Sequence, residues 1–153
     1  MTGPGLETTD PLDLDRQVCF ALAAASRSVV QFYRPILEPL GLTHPQYLVM
    51  LALWQRAPQR LGEIAQRLRL DPATLTPIAK RLEQMGLVRR RRDERDERSV
   101  VLEPTDAGTA LRERALAVPR DVVERLGLPI ERLEALRDEL SDLIAAVDRA
   151  ERG

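Results

Sequence analysis

Residues 61–104 read LGEIAQRLRLDPATLTPIAKRLEQMGLVRRRRDERDERSVVLEP, and this stretch decides the fold. Apolar side chains recur at spacings of three and four in two short runs, which predicts helices over residues 61–69 and 72–85. Asp71 stands where the second helix would have its N-cap, a proline follows in the first turn, and Gly86 ends the helix. The stretch therefore opens with two short helices joined by only a few residues.

These two helices carry their apolar side chains where a helix-turn-helix motif has them. Small Ala65 lies where the helices would pack closest, and Arg69 replaces the glycine that the turn usually contains. The matching positions are Ile64, Ala65, Leu68, Leu70, Leu75 and Ile78. An ordinary helical hairpin has the same spacing, because any packed helix pair needs an apolar face, so both interpretations stay open on these helices alone.

The charged segment that follows favours the helix-turn-helix. Residues 87–91 and 99–103 are predicted to form short strands on either side of a charged loop, and residues 89–98 contain six arginines. A β-hairpin directly after the second helix is a wing, which can reach phosphates and the minor groove while the helix enters the major groove. A solvated charged hairpin is the alternative. The predicted fold is mainly α with a small β-hairpin wing, a winged helix-turn-helix.

The candidate contacts to double-stranded DNA lie on the second helix and in the wing. Short hydroxyls can approach base edges or phosphates, and cations late on the helix suit phosphates. The candidates are Thr74, Thr76, Pro77, Lys80 and Arg81 on the helix, and Arg91, Arg95, Asp96 and Arg98 in the wing. The net charge of the chain is −1, yet residues 60–98 contain 11 basic and 7 acidic residues. Such an uneven distribution is expected where one segment meets a polyanion.

An amphipathic helix is predicted on the N-terminal side of this region. Its apolar stripe spans residues 13–38, and Pro35 ends or kinks it near its last turn. A second helix begins after Thr43, a candidate cap, with Pro45 in its first turn, and runs to about residue 55.

Two further helices are predicted on the C-terminal side. Thr105 and Asp106 open the first, whose apolar stripe extends to Val122, and the last carries apolar residues from Ile130 to Val147. A small winged core cannot cover these stripes, which predicts an obligate homodimer. The expected organisation is a flexible N-terminal arm over residues 1–12, a helical dimerisation region over 13–40 and 105–150, and a winged helix-turn-helix region over 41–104.

The composition excludes several classes of protein. No apolar run approaches the roughly 20 residues of a membrane span, and the first residues lack the features of a signal peptide, so we expect a cytoplasmic protein without membrane contact. One cysteine and one histidine leave no transition-metal cluster and no internal disulfide. No paired nucleophile and base and no phosphate-binding loop are present, so we expect neither an enzyme nor a cofactor.

The single cysteine, Cys19, falls in the first turns of the first predicted helix. Judged by residue type alone, it would be a small buried apolar side chain. The alternatives are a reactive thiol or a bridge to another chain.

Several segments together resemble one family of regulators. DERDERSVVLEPTDAG, at residues 93–108, resembles the wing signature of MarR-type transcriptional regulators, and the resemblance extends over residues 13–148. More narrowly, four segments are similar to the OhrR branch, the organic-hydroperoxide sensors of that family: QVCFALAAASR, YRPILEPLGLTHPQYLVMLALW, LDPATLTPIAKRLEQMGLVRR and DERSV.

The resemblance implies a MarR-like homodimeric repressor whose first and last helices form the interface. It implies that Cys19 senses organic hydroperoxide and that Tyr33 is hydrogen-bonded to it. With no second cysteine in the chain, an oxidised Cys19 could react with a low-molecular-weight thiol, form a bridge to another chain or oxidise further. The positive end of the helix dipole and Arg16 would favour the thiolate. His44 stands where the branch usually has a tyrosine. It would either donate a hydrogen bond to the thiolate or be a surface residue at the start of its helix.

Cys19 and Tyr33 are 14 residues apart on one helix, roughly 21 Å along its axis, so their contact is predicted to form between subunits. Two other functions remain as alternatives. One is a MarR-type regulator that binds a small aromatic or phenolic ligand in the dimer crevice, with Cys19 structural. The other is an architectural DNA-binding protein without an effector.

Overall fold

The computed structural model describes residues 10–153, so residues 1–9 of the predicted arm lie outside the described residues. Seven helices and three strands follow one another in this part of the chain. They are α1 (Val18–Leu37), α2 (His44–Gln55), β1 (Gln59–Arg60), α3 (Leu61–Leu68), α4 (Pro72–Gln84), β2 (Val88–Arg92), β3 (Val100–Pro104), α5 (Asp106–Ala115), α6 (Val118–Leu126) and α7 (Ile130–Arg152). The predicted fold class is confirmed.

The sheet is antiparallel, with strand order β1-β3-β2. The β2–β3 hairpin is the predicted wing, with each strand shifted by one residue from its expected position. Strand β1 was not predicted, because two residues are too few for an alternating pattern. It pairs Gln59 with Leu102 and Arg60 with Val101, which joins the base of the wing to the start of α3.

One hydrophobic core lies between α2, α3, α4 and the sheet. The largest fully buried apolar side chains come from these elements and from the end of α1: Leu37, Val49, Met50, Leu53, Ile64, Leu75, Leu82, Val88 and Leu102. Ala65 is 2% exposed, as expected for the close approach of α3 to α4. The core therefore fixes α4 and the wing relative to each other.

The predicted start of the first helix was wrong. Asp13 accepts a hydrogen bond from the backbone N–H of Asp15 at 3.1 Å and opens a short 3-10 turn over Leu14–Arg16. The backbone of Gln17 is extended, and its side-chain amide donates hydrogen bonds to the carbonyls of Pro11 and Asp13 at 2.8 and 3.0 Å. Because these bonds hold the chain away from helical geometry, α1 begins only at Val18.

The segment after the wing forms two helices instead of the predicted one. Pro119 has no N–H and cannot donate to the carbonyl of Ala115, four residues earlier, so α5 ends at that residue. The proline lies in the first turn of α6, where its missing donor has no consequence.

The predicted helix caps are observed, with one exception. Thr43 and Gln46 form a reciprocal capping box at α2, and Thr105 accepts from the backbone N–H of Gly108 at 3.1 Å. Asp71 is the N-cap residue of α4, but its side chain makes no capping hydrogen bond. Gly86 has φ of +76°, the left-handed conformation that suits a residue directly after a helix.

Candidate functional site

Helix α4 presents a polar and cationic face to solvent. Leu75, Ala79 and Leu82 point into the core. Four of the predicted contact residues are exposed on the outer side, namely Thr74, Pro77, Lys80 and Arg81. Thr76 differs from them, because it is half-buried and its hydroxyl donates to the carbonyl of Pro72 at 2.8 Å. Its only donor is thereby used inside the helix.

The arginines of the wing fall into two groups. Arg89 and Arg91 share the carboxylate of Glu103, at 3.4 and 3.5 Å, and Arg90 pairs with Glu83 at 3.5 Å. Within residues 10–153, three other arginines of the wing form no ion pair, and all three are exposed: Arg92, Arg95 and Arg98. The structure therefore leaves Arg95 and Arg98 available to a polyanion and partly neutralises Arg91.

Two aspartates shape the tip of the wing. Asp96 accepts from the backbone N–H of Arg98 at 3.1 Å and from the hydroxyl of Ser99 at 3.2 Å. Asp93 accepts from the backbone N–H of Arg95 at 3.1 Å and from the guanidinium of Arg60 at 2.7 Å. These hydrogen bonds, that of Arg95 foremost, lower the pKa of Asp93. Asp93 thus orients the backbone at Arg95, and Asp96 orients the backbone at Arg98.

Sequence reasoning missed Asp93, although a signal was present. Asp93 and Asp96 each stand two residues before an arginine, and each carboxylate accepts from that arginine's backbone N–H. The repeated spacing was visible in the sequence, whereas the partner Arg60 lies 33 residues away and was not.

The turn between α3 and α4 is tied to the end of the chain. Arg69 has φ of +57°, the left-handed conformation in which the turn usually has glycine. Its guanidinium binds both carboxylate oxygens of Asp148 on α7, one of them at 3.2 Å. This pair raises the pKa of Arg69 and lowers that of Asp148. The arginine is therefore directed at α7.

The thiol lies apart from the winged region. Cys19 is exposed in the first turn of α1, between two apolar residues that are also exposed, Val18 at 64% and Phe20 at 37%. Arg16 lies in the 3-10 turn before α1, and its side chain makes no hydrogen bond to Cys19 in the described part of the chain. The proposed cation is thus near in sequence but outside the helix that carries the thiol.

The other two residues of the predicted redox site are in contact with each other. The rings of Tyr33 and His44 meet edge to face with centroids 5.0 Å apart, and the ring of Tyr47 lies 6.1 Å from that of Tyr33. Burial raises the pKa of Tyr33 and lowers that of His44. Burial, and then the charge of Tyr33, raise the pKa of Tyr47.

This aromatic cluster cannot reach the thiol of its own chain. Cys19 and Tyr33 both belong to α1, and 14 residues of helix separate them by roughly 21 Å. The structure therefore brings Tyr33 and His44 together and leaves Cys19 at the opposite end of the helix.

Two cavities open near the cluster. A cavity of about 430 Å³ between α2, α5 and α6 is lined by Tyr47, Leu51, Trp54, Gln55, Arg112, Ala115, Leu116 and Pro119. A second cavity, of about 300 Å³, lies beside His44 and is lined in part by Val30, Arg34 and Glu38. No cluster of three or more potential metal ligands occurs in residues 10–153. None of the helices described is long and apolar enough to cross a membrane.

The fold and its exposed cations define a winged helix-turn-helix DNA-binding protein. Residues 42–100 match the model of the MarR family. Over 135 residues the chain is 39% identical to the organic hydroperoxide resistance transcriptional regulator of Bacillus subtilis (strain 168), covering 88% of this chain and 92% of that protein. The chain belongs to the MarR family.

Two further comparisons agree with this assignment. Over 134 residues the chain is 43% identical to the HTH-type transcriptional regulator TtmR of Methylorubrum extorquens (strain PA1), covering 88% of this chain and 69% of that protein. The structure of reduced AbfR bound to DNA is similar, with a TM-score of 0.73 and 36% identity, over 88% of this chain and 94% of that one. As a member of the family, the chain is a dimeric DNA-binding transcriptional regulator and not an enzyme.

Proposed function

We propose that the protein is a cytoplasmic repressor that leaves its operator when an organic hydroperoxide oxidises Cys19. The observation that carries the proposal is the division of the redox residues between the two ends of α1. Cys19 is exposed at one end, and Tyr33 and His44 are packed together at the other. The similarity to a regulator named for organic hydroperoxide resistance supports the same chemistry.

An antiparallel crossing of two α1 helices would complete the site. Each Cys19 would then face Tyr33 and His44 of the partner subunit, beside the cavity of about 300 Å³. The surface around the thiol is suited to such an interface, since Val18, Phe20, Val29 and Val30 are all at least 37% exposed in the single chain. In this arrangement the hydroxyl of Tyr33 donates a hydrogen bond to the thiolate, and burial lowers the pKa of His44, which favours its neutral imidazole.

One molecule of hydroperoxide oxidises one thiolate in this reaction. The thiolate sulfur of Cys19 attacks the terminal oxygen of the hydroperoxide, the O–O bond breaks, and the alkoxide that leaves takes up a proton to become an alcohol. The product is a sulfenic acid. Because the chain has no second cysteine, the sulfenic acid can condense with a low-molecular-weight thiol and release water.

The DNA-binding face in this proposal is α4 together with the tip of the wing. Thr74, Pro77, Lys80 and Arg81 lie towards the major groove, and Arg95 and Arg98 reach phosphates and the minor groove. A two-fold dimer presents two such faces, so the operator is a pseudo-palindrome with half-sites about 34 Å apart. Oxidation at the α1 crossing changes the spacing of the two faces and weakens binding.

The decisive experiment measures operator binding before and after one equivalent of organic hydroperoxide. The wild-type dimer should release DNA, and Cys19→Ser should stay bound. Tyr33→Phe should bind DNA but respond more slowly. If Cys19→Ser is released by hydroperoxide as readily as the wild type, the thiol is not the sensor.

Mixed dimers test whether the site lies between subunits. A dimer with Cys19→Ser on one chain and Tyr33→Phe on the other keeps one intact centre if the two residues meet across the interface, so a partial response should survive. A response no faster than that of the Tyr33→Phe homodimer would place the pair within one chain and contradict the crossing.

The cavity of about 430 Å³ favours a second candidate function, a regulator that binds a small aromatic or phenolic ligand. Aromatic residues Tyr47 and Trp54 line it, and Arg112 supplies a cation for an acidic group. In that case Cys19 is structural. Release of DNA by an aromatic acid from the Cys19→Ser dimer, with loss of the effect in Arg112→Ala, would support this function over the redox one.

A further inference from the structure

A proline interrupts the middle of the DNA-facing helix. Pro77 lies in the interior of α4 and is exposed. It has no N–H to donate to the carbonyl of Ala73, and proline destabilises an exposed helix interior more than any other residue. The core does not account for it, because Leu75 and Ala79 make the inward contacts. A residue that breaks a local rule without a packing role is expected at a functional site.

The exposed surface of α4 before Pro77 lacks the side chains that recognise purines. Ala73 and Thr74 are exposed on the same side of α4, one turn earlier, and the cations Lys80 and Arg81 lie one turn later. From the start of α4 to Pro77, no arginine, lysine, asparagine or glutamine is present to make the paired hydrogen bonds that select guanine or adenine. Thr76 has already spent its donor on Pro72. The centre of the helix therefore offers an apolar ring flanked by small side chains.

One group on the base edges of the major groove is apolar, the 5-methyl group of thymine. We infer that the ring of Pro77, with Thr74 beside it, contacts a thymine methyl in each half-site and makes that thymine a specificity determinant. The inference rests on the proposed placement of α4 in the major groove and is independent of the thiol chemistry. In this arrangement Lys80 and Arg81 contact phosphates and hold the ring against the base.

The test is a double-mutant cycle between protein and DNA. The probe is a duplex selected from a random library by the reduced wild-type dimer, in which each thymine is replaced in turn by deoxyuridine. This change removes only the methyl group. For the wild type, one thymine per half-site should show a penalty of roughly fourfold, the effect of one methyl group removed from water. Pro77→Ala should reduce this penalty.

Lys80→Ala is the matched control, because Lys80 is exposed one turn later on the same face. It should weaken binding to both duplexes by the same factor and keep the uracil penalty. Pro77→Ser serves as a second variant with a polar side chain of similar size to alanine, and circular dichroism checks that both variants keep their helix content.

Two outcomes would overturn the inference. One is the absence of any thymine at which uracil weakens binding of the wild type. The other is an undiminished uracil penalty in Pro77→Ala and Pro77→Ser. Hydroperoxide release measured on the same duplex separates the proposals, since a uracil penalty without release would contradict the redox function and leave the thymine contact intact.

Discussion

Helix α2 has 12 residues and buries six of them, whereas helix α7 has 23 residues and buries none. Helix α2 is surrounded by α3, α4 and the sheet, so its apolar side chains are covered within one chain. The apolar side chains of α7 remain open, with Leu136 53% and Val147 46% exposed. The contrast shows that the winged region completes its own core, while the terminal helices leave apolar side chains uncovered, which we propose the second subunit covers.

The same division runs through α1. Its buried residues are Ile36 and Leu37, at the end that joins the winged core, whereas Leu14 and Val18, before and at its start, are 58% and 64% exposed. The end that carries Cys19 thus belongs to the uncovered apolar surface for which we propose a second subunit as the cover. A sensor placed there can act on how the two subunits fit without disturbing the fold of either winged region.

The largest effect is expected from a charge on the uncovered stripe. Val147→Asp buries an unpaired carboxylate in the dimer interface, which costs roughly 3–5 kcal/mol and weakens dimerisation more than a hundredfold. Sedimentation should show monomers, and operator binding should be lost. Ala145→Asp places the same charge on the opposite side of α7 and should leave the dimer intact. Equal behaviour of the two variants would contradict an interface on this stripe.

Substitutions of two glycines test how the winged region packs within one chain. A Cβ atom on Gly108 would lie 2.0 Å from the backbone carbonyl oxygen of Leu87, so Gly108→Ala forces backbone movement and should lower the free energy of unfolding by about 3 kcal/mol. Gly62 is a helical glycine with open space around it, and Gly62→Ala should raise the free energy of unfolding by about 0.5–1 kcal/mol. Urea denaturation measures both. If the free energy of unfolding of Gly108→Ala equals that of the wild type, the close approach of α5 to the backbone of Leu87 is contradicted.

A smaller effect is expected from the free arginines of the wing. Arg95→Gln and Arg98→Gln each remove a phosphate or groove contact, so the slope of log affinity against log salt should fall by about 1 per lost contact. Arg91→Gln should change the slope less, since Glu103 already neutralises part of that charge. Arg120→Gln, exposed on α6, is the control. Unchanged slopes for Arg95 and Arg98 would remove the wing from the interface.

The smallest expected effect is the titration of His44. Burial lowers its pKa below 6.5, so the native state favours the neutral imidazole more than the unfolded chain does. Stability from this group is therefore present above pH 6.5 and is lost as pH falls through the lower native pKa. The Tm should drop as pH is reduced from about 7.5 towards 5.5, a range that brackets the ordinary pKa of histidine. His44→Phe should lessen the drop, and an equal drop in that variant would assign it to other groups.

The local parts of the fold were predictable because their causes lie within a few residues. The apolar spacing of α3 and α4, the Thr43 and Thr105 caps and the glycine after α4 each depend on neighbours along the chain. The predicted helix boundaries were wrong where one or two residues interrupted a continuous apolar stripe. Pro119 divided α5 from α6, and Asp13 with Gln17 delayed α1, although the apolar stripe ran through both points.

By itself, the sequence determined that this chain has a helix-turn-helix with a cationic wing and carries one thiol on an amphipathic helix. Periodicity, caps and residue types establish these features locally. The tertiary structure decided which charges remain free. Arg91 shares the carboxylate of Glu103 with Arg89, and Arg69 is paired with Asp148, 79 residues away. Arg95 and Arg98 stay exposed. It also set the ring of Tyr33 against that of His44. Such pairings depend on distances in space between residues remote in sequence, and no local pattern encodes those distances.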